Sequence, residues 1–396
     1  LAHFVLEGTL LDKKNGVPIV YATVGVEGTS IGSITNQAGE FRLHLADSLR
    51  RKSLVFSHVG YVAQKIDIPL LTAGQHFTLT LEPRIFPLQE VVIRVVHPIR
   101  LMREMLEKRM INYSQKPVYF TTFYREGVQY KQKFRSLTEA VFKIYKSPVQ
   151  SLYAREQVKL LKMSRITDGL EQDTLIARMS GGIDACLQLD IINHLPDFLL
   201  ADAHKDVYAY TSADVTIVGD HLVNVISFEQ KKEVKEPLYC GELYIDSDNG
   251  ALLQAQIRIH PRYMKQATDM VVQRQARRMK IVLQELTYTI SYKPWNGTYY
   301  INHVRGDLHF KVKQKRQWLG SSSLHTWFEM VTCKIDTVGV TRFQRNERIP
   351  TRTVFADTHF KYDSDFWENF NVIPWEKQLV EVIEQLTSKI EKIEYE

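Results

Sequence analysis

The pentapeptide Gly28-Thr29-Ser30-Ile31-Gly32 has the Gly-x-Ser-x-Gly form of a serine nucleophile. That chemistry needs a strand, a strained turn and then a long helix, so that the hydroxyl is presented to a base. Here Ser33-Ile34-Thr35-Asn36-Gln37-Ala38-Gly39 follows, which reads as strand and turn, so Ser30 is not expected to catalyse. Asp246-Ser247-Asp248-Asn249-Gly250 has the composition of a calcium loop. An EF-hand loop places Gly sixth and Glu twelfth; here Gly is fifth and the twelfth residue is Ile257. A hairpin turn between two strands explains the residues better. The 13 histidines include no His-Glu-x-x-His and no pair at i, i+4. His303 and His309, on neighbouring strands or one bent ribbon, with His325 nearby, come nearest to a ligand set, and nothing in the sequence assembles them. Gly181-Gly182 before Ile183-Asp184 could offer backbone amides to an anion at a helix start, but a tight loop accounts for a lone Gly pair. Cys186, Cys240 and Cys333 are too far apart for a CxxC site and odd in number. They are expected as buried free thiols, with one pair able to form in an oxidising compartment. The sequence therefore names no catalytic, cofactor-binding or metal-binding residue, and no cofactor is expected.

The elements that would position any site are mostly strands. A chain of 396 residues accommodates two or three cores. Its 44% apolar and 11% aromatic content fits folded material rather than disorder. A net charge of +6 is mildly basic and does not predict nucleic-acid binding, which needs a concentrated patch. No apolar run approaches the ~20 residues that cross a bilayer. The chain opens on Leu1, as expected where a leader has been removed or the chain trimmed.

Short strands are expected at Phe4–Leu10, Val20–Val26, Ile31–Thr35, Glu40–Leu45, Leu54–His58 and Phe77–Leu81, separated by Gly, Asn and Asp turns. Phe41 to Leu45 alternates apolar and polar, one face buried and one wet. This spacing predicts a small β-sandwich over residues 1–82. Residues 83–114 read as a linker carrying Pro83, Pro87 and Pro98 and an extended Glu90–Val96. An amphipathic helix over Ile99–Tyr113 follows, with Leu101, Met105, Leu106 and Met110 on one face.

Residues 115–396 read as a large antiparallel sheet with a C-terminal helix. Strands are expected at Tyr119–Gln129, Leu137–Tyr145, Val215–Val218, Leu222–Gln230, Tyr239–Ile245, Leu252–His260, Gln284–Tyr292, Thr298–Arg305, Asp307–Lys313 and Glu329–Ile335. Helices are expected at Asp184–Leu200 and from about Glu376 to Ile393, the latter started by Pro374 and carrying Leu379, Val382, Ile383, Leu386 and Ile390. Arg274-Gln275-Ala276-Arg277-Arg278-Met279-Lys280 reads as an insertion between strands. Lys311, Lys313 and Lys315, ahead of Arg316, fall on one exposed sheet face or a lysine-protected edge.

Two resemblances emerge. Gly8-Thr9, Gly16-Val17-Pro18-Ile19, Ala22-Thr23-Val24, Gly39-Glu40-Phe41 and Leu54 to Tyr61, followed by Leu88-Gln89-Glu90-Val91-Val92-Ile93, resemble the carboxypeptidase regulatory-like domain. The resemblance implies a transthyretin-like sandwich of the kind found ahead of TonB-dependent receptors and other envelope proteins of Bacteroidota, without the zinc peptidase domain. Thr122-Phe123-Tyr124-Arg125-Glu126, Glu139-Ala140-Val141, Ser180-Gly181-Gly182 and Gly241-Glu242-Leu243-Tyr244-Ile245-Asp246 are similar to a family that carries this domain in front and no receptor barrel behind. The Gly-x-x-Tyr-Ile-Asp turn also resembles the half-barrel of periplasmic lipoprotein carriers, which would wrap an apolar groove. The implied function is that of a non-catalytic periplasmic accessory at the outer membrane, binding other proteins such as receptor, transport or barrel-assembly components. The alternative is a carrier of a lipid or apolar ligand, and a third reading is an enzyme with an unrecognised site.

Overall fold

The computed structural model describes residues 2–84, 97–149, 156–167, 177–179, 182–200, 202–275, 279–314, 320–351, 367, 370–377 and 379–384. Glu90–Val96, Leu88–Ile93, Ser180-Gly181, Arg277-Arg278, Lys315-Arg316, Asp365-Phe366, Leu386 and Ile390 lie outside the described residues.

Seven short strands form the N-terminal sandwich: β1 (His3–Asp12), β2 (Thr23–Val26), β3 (Gly32–Ile34), β4 (Glu40–Ala46), β5 (Ser53–Ser57), β6 (Gln64–Asp67) and β7 (His76–Leu81). They pair as two sheets, β4-β1-β7 and β3-β2-β5-β6. Period-two alternation turns Phe4, Leu6 and Leu10 of β1, Phe41, Leu43 and Leu45 of β4 and Leu54 and Phe56 of β5 into one shared core. The sequence does not announce β6, an edge strand in which no residue is buried and no alternation can be read.

Pro98 starts α1 (Pro98–Glu107), its fixed φ suiting the first helical position. Leu101, Met102 and Met105 are buried. The helix expected to run to Tyr113 is interrupted at Lys108, and α2 (Arg109–Asn112) follows as a separate turn.

The main body is one open antiparallel sheet. Its strands are β8 (Val118–Tyr130), β9 (Lys133–Lys146), β10 (Gln157–Thr167), β12 (Tyr208–Val218), β13 (His221–Gln230), β14 (Tyr239–Asp246), β15 (Leu252–Ile259), β17 (Met279–Trp295), β18 (Thr298–Gln314) and β19 (Ser322–Asp336). Two further strands, β11 (Ala177–Met179) and β16 (Val272–Gln275), pair with each other. The ten strands lie in the order β10-β9-β8-β19-β18-β17-β15-β14-β13-β12. Every one of them contributes to a single apolar cluster, from Val158 and Met163 of β10 through Phe328 of β19 and Tyr288 of β17 to Tyr208 of β12. A flat sheet this wide cannot bring its two ends to one core, so the sheet curves around its inner face. That inner face is covered by Met105 of α1, by Ile183, Cys186 and Leu187 of α3 (Gly182–Gln188), and by Ile191, Ile192, Phe198 and Leu199 beyond it.

Several expectations are corrected. Thr298–Arg305 and Asp307–Lys313 are one strand, β18, unbroken at Gly306 because the Phe328 ring of β19 lies over it; a Cβ there would meet the ring at 2.4 Å. Helix α3 stops at Gln188 instead of running to Leu200: Asp190 is held in the interior by Lys146, and Pro196 denies the helix a donor further on. Of the 274–280 segment, Arg274 and Gln275 belong to β16, which pairs with β11, and Met279 and Lys280 begin β17. Of the two placements expected for Lys311 and Lys313, the exposed sheet face holds: β18 is an internal strand between β19 and β17, not an edge. The three cysteines are buried and free, as expected.

Gly241 of the Gly-x-x-Tyr-Ile-Asp segment has a physical reason: a Cβ there would stand 1.9 Å from the Gln256 carbonyl oxygen of the paired strand. Gly241→Ala must push β14 and β15 apart and is expected to lower stability by about 2–4 kcal/mol in urea unfolding. A loss under about 0.5 kcal/mol would show that the strands separate freely there.

Candidate functional site

The outer face of the sheet carries charged side chains that no solvent reaches. Arg125 of β8 sits directly opposite Glu139 of β9 and, on its other side, opposite Glu329 of β19; Glu329 in turn faces Arg305 of β18. The register thus lays Glu139, Arg125, Glu329 and Arg305 in one row across four neighbouring strands, with charges alternating in sign. Cross-strand neighbours of opposite charge attract, and burial strengthens that attraction. Arg125 Nε donates to Glu139 Oε1 at 2.7 Å, and its Nη1 lies 3.8 Å from Glu329 Oε1. Arg305 Nη1 lies 3.4 Å from Glu329 Oε2, and Arg305 also grips Asp307 through Nε and Nη2 at 2.7 and 2.9 Å. All four members of the row are under 5% exposed, so their partners are each other rather than water.

Two parts of the chain roof this row. From the sandwich, the Tyr21 ring lies 5.0 Å from the His303 ring, and the Arg305 guanidinium lies 5.4 Å over Tyr21 and 4.9 Å over Trp327. From the tail, the Ile373 carbonyl accepts from Arg125 Nη2, and Trp375 Nε1 donates to Glu139 Oε1 at 2.7 Å. Around them Ile34, Phe123, Val141, Val331, Cys333, Val372 and Ile373 form an apolar collar. Leu379 and Ile383 of the C-terminal helix pack on Leu137, Ile166 and Trp327, so the described part of that helix docks on the sheet as its spacing suggests. Burial alone would raise the Glu329 carboxyl, but Arg305, His303 and Arg125 overcome it and hold it down to about 2. Asp307 is likewise held down to about 2, against burial, by His325 and Arg305.

The residues singled out for chemistry have structural work here. Ser30 Oγ donates to the Ile335 carbonyl and accepts from the Ile335 amide, both at 2.9 Å, and so pins the sandwich turn to the end of β19. His303 and His309 lie on one strand; His303 points to Glu329 at 3.5 Å, while His309 stacks on His325 at 4.0 Å. Asp246 does sit in a hairpin turn. Its Oδ1 accepts from the amides of Asp248 and Asn249 at 2.8 and 3.3 Å, and His221 Nδ1 lies 2.7 Å from its Oδ2. His221, Asp246 and Asp248 are the one group of described residues with cation-ligand spacing, and the turn engages Asp246 Oδ1 while Oδ2 lies only against His221 Nδ1. Gly182 opens α3 with a φ of 79°, a turn conformation. A second buried set joins Lys146 to Glu156 and Asp190 at 2.8 and 2.7 Å, with His194 and the Tyr292 hydroxyl on the two carboxylates. Burial opposes the Glu156 charge, but Lys146 and His194 hold its carboxyl well below the usual range.

Sequence reasoning missed the charged row. Its signal was present: Phe123-Tyr124-Arg125 and Glu139-Ala140-Val141 place Arg125 and Glu139 at strand positions that alternation assigns to the face opposite the core. An outward charge reads as solvated unless something is known to cover it.

Beside the row, sandwich and sheet enclose a slot of about 730 Å³. Thr23 and Gly25 of β2 and Val55 and Ser57 of β5 line one wall. Tyr244 of β14, Gln254 and Gln256 of β15 and Thr289 and Ser291 of β17 line the other. Lys293 closes one end, donating to the Thr332 and Ser30 carbonyls at 2.7 and 3.4 Å. Burial, with no carboxylate to offset it, lowers its ammonium to about 8.

Residues 6–93 match the CarboxypepD_reg-like domain. The rest of the chain lies outside that match. The regulatory-like domain is thus the sandwich whose β2–β5 sheet faces the slot. No curated protein matches the chain. Among solved structures, it is similar to a putative outer membrane lipoprotein-sorting protein domain from Vibrio parahaemolyticus at 10% identity and a TM-score of 0.26, covering 63% of this chain and 94% of that one. It is similar to a DUF1329 family protein from Desulfovibrio piger at 10% identity and a TM-score of 0.27, covering 62% and 96%. A LolA superfamily protein from Nitrosomonas europaea matches at 10% identity and a TM-score of 0.21, covering 60% and 94%. Likenesses this low carry no argument about ligand or partner.

Proposed function

We propose that the chain is a non-catalytic accessory of the bacterial periplasm that works by binding other proteins at the outer membrane. The supporting observation is the buried charged row. Its acids and bases are spent on one another, and its roof is made of the chain's own sandwich and tail. Such a clamp makes a rigid body from three parts of the sequence, and a rigid body loses little conformational entropy when it docks. The described side chains on the inner face of the sheet pack against one another, so no specific observation favours a lipid carrier over this reading. The regulatory-like domain at the front agrees with an envelope setting.

The experiment is in-cell crosslinking followed by detergent extraction and pull-down of the intact chain. One or more outer-membrane proteins should co-purify in stoichiometric amount, and Arg125→Ala should lower that yield by loosening the body. Recovery of the chain alone, or turnover of a substrate by the purified protein, would defeat the reading.

A further inference from the structure

We propose that the slot between the sandwich and the outer face of the sheet binds a neutral, hydroxyl-rich ligand of the oligosaccharide type. This goes beyond the accessory reading and does not depend on which protein is the partner.

Four observations carry it. The first is size: about 730 Å³ lies within the ~300–1,000 Å³ of small-molecule sites, which favour the interface between two packed units.

The second is Gly25. In β2 the side chains of Val24 and Val26 enter the sandwich core, so Thr23 and Gly25 face the slot. A glycine inside a strand weakens it. Gly25 has no positive φ to require glycine, and a Cβ there would meet nothing nearer than the Ile31 carbonyl at 3.8 Å. Neither backbone strain nor packing explains it; what the missing side chain leaves is room in the slot.

The third is unspent hydrogen bonding. Gln254, Gln256, Ser57, Thr289 and Ser291 line the slot and are partly exposed. Their side chains bond to no other described residue, whereas Thr23 beside them accepts from Asn302 Nδ2 at 3.0 Å. Two amides and three hydroxyls supply both donors and acceptors, as a polyol requires.

The fourth is the balance of the lining. Tyr244 and Trp295 add aromatic rings that are apolar in body and polar at the tip. An acyl chain would strip water from the amides and hydroxyls without replacing it, at about 1–3 kcal/mol for each group left unpaired. An anionic ligand would find a single ammonium, that of Lys293, already donating to two carbonyls.

The test uses the full chain with methyl-labelled valine and leucine. Val55, Val59 and Val218 report from the walls. Maltotriose, cellotriose and chitotriose are each titrated to about 50 mM, so that binding as weak as millimolar is seen. At least one should shift these three methyl groups. Gly25→Leu, which fills the slot from a position with space for it, should weaken that binding on the order of tenfold or more. Gln256→Ala, which keeps the space and removes an amide, should weaken it about tenfold. Methyl spectra of both variants away from the slot establish that the fold is kept. Silence from all three sugars would overturn the proposal, as would shifts that persist unchanged in Gly25→Leu. Binding of the apolar dye anilinonaphthalene sulfonate in the slot without any sugar response would replace it with an apolar ligand.

Discussion

Arg125→Ala should lower the unfolding free energy by about 3–5 kcal/mol, the range for removing one partner of a buried ion pair. Arg125 is 1% exposed and touches three things at once: the Glu139 carboxylate, the Glu329 carboxylate and the carbonyl of Ile373. Truncation leaves Glu329 with Arg305 and His303, but among the described residues it leaves Glu139 with only the Trp375 indole. The loss therefore comes mainly from Glu139, an acid 3% exposed that then has no cationic partner among the described residues. The same change frees the Ile373 carbonyl, so the 371–375 segment should loosen before the sheet melts. Urea unfolding gives the global figure, and limited trypsin digestion at Lys377 gives the local one. The double change Arg125→Met with Glu139→Leu removes both charges and should recover most of the lost stability, because an apolar pair of similar volume is often as stable as a buried ion pair. A loss under about 1 kcal/mol in the single variant would mean that the row does not clamp the body.

What the sequence made legible follows from how far apart the partners lie. The sandwich strands are read from local alternation because each buries one face in a core built within about eighty residues. Most strands of the sheet are readable for the same reason. Strand β10 was missed: its alternation is broken by a bulge between Leu160 and Lys162. The charged row was missed for a different reason. In Glu139-Ala140-Val141 and Phe123-Tyr124-Arg125 the alternation correctly predicts a second face, but not its cover. That cover comes from Tyr21, more than a hundred residues before Arg125, and from Ile373 and Trp375, more than two hundred after it. No local pattern encodes such a contact. The slot was illegible for the same cause, since its two walls come from residues 20–63 and 218–303. The likeness to a known domain placed the sandwich in the right part of the chain but said nothing about which face of the large sheet it would meet.

Acid should undo the clamp before it unfolds the inner core, with stability falling between pH 5 and pH 2. Glu329 and Asp307 are both held down to about 2 in the folded chain, whereas in the unfolded chain they return to about 4.3 and 3.9. A carboxyl whose folded value is depressed binds fewer protons in the folded state, so its contribution is complete above its unfolded pKa and is lost as pH falls through the folded one. For Glu329, which is 2% exposed, a drop to about 2 corresponds to ~3 kcal/mol at neutral pH. His309, lowered by burial and by His325, has the same sign at a higher pH and begins the loss below about 6.5. Glu126 opposes them: burial raises its carboxyl, so it takes up a proton in the folded state first and adds stability as pH falls. Glu156, held well below the usual carboxylate range by Lys146 and His194, adds to the loss with the same sign, and Glu329 and Asp307 supply the part that belongs to the row. Urea midpoints measured from pH 7 to pH 2.5 should fall steeply below pH 5 in the parent chain. Glu329→Gln should start less stable and follow a flatter line, because the group that titrates has been removed while the shape is kept. Parallel slopes for the two proteins would place the acid sensitivity elsewhere, and the row would then be a contact that holds nothing.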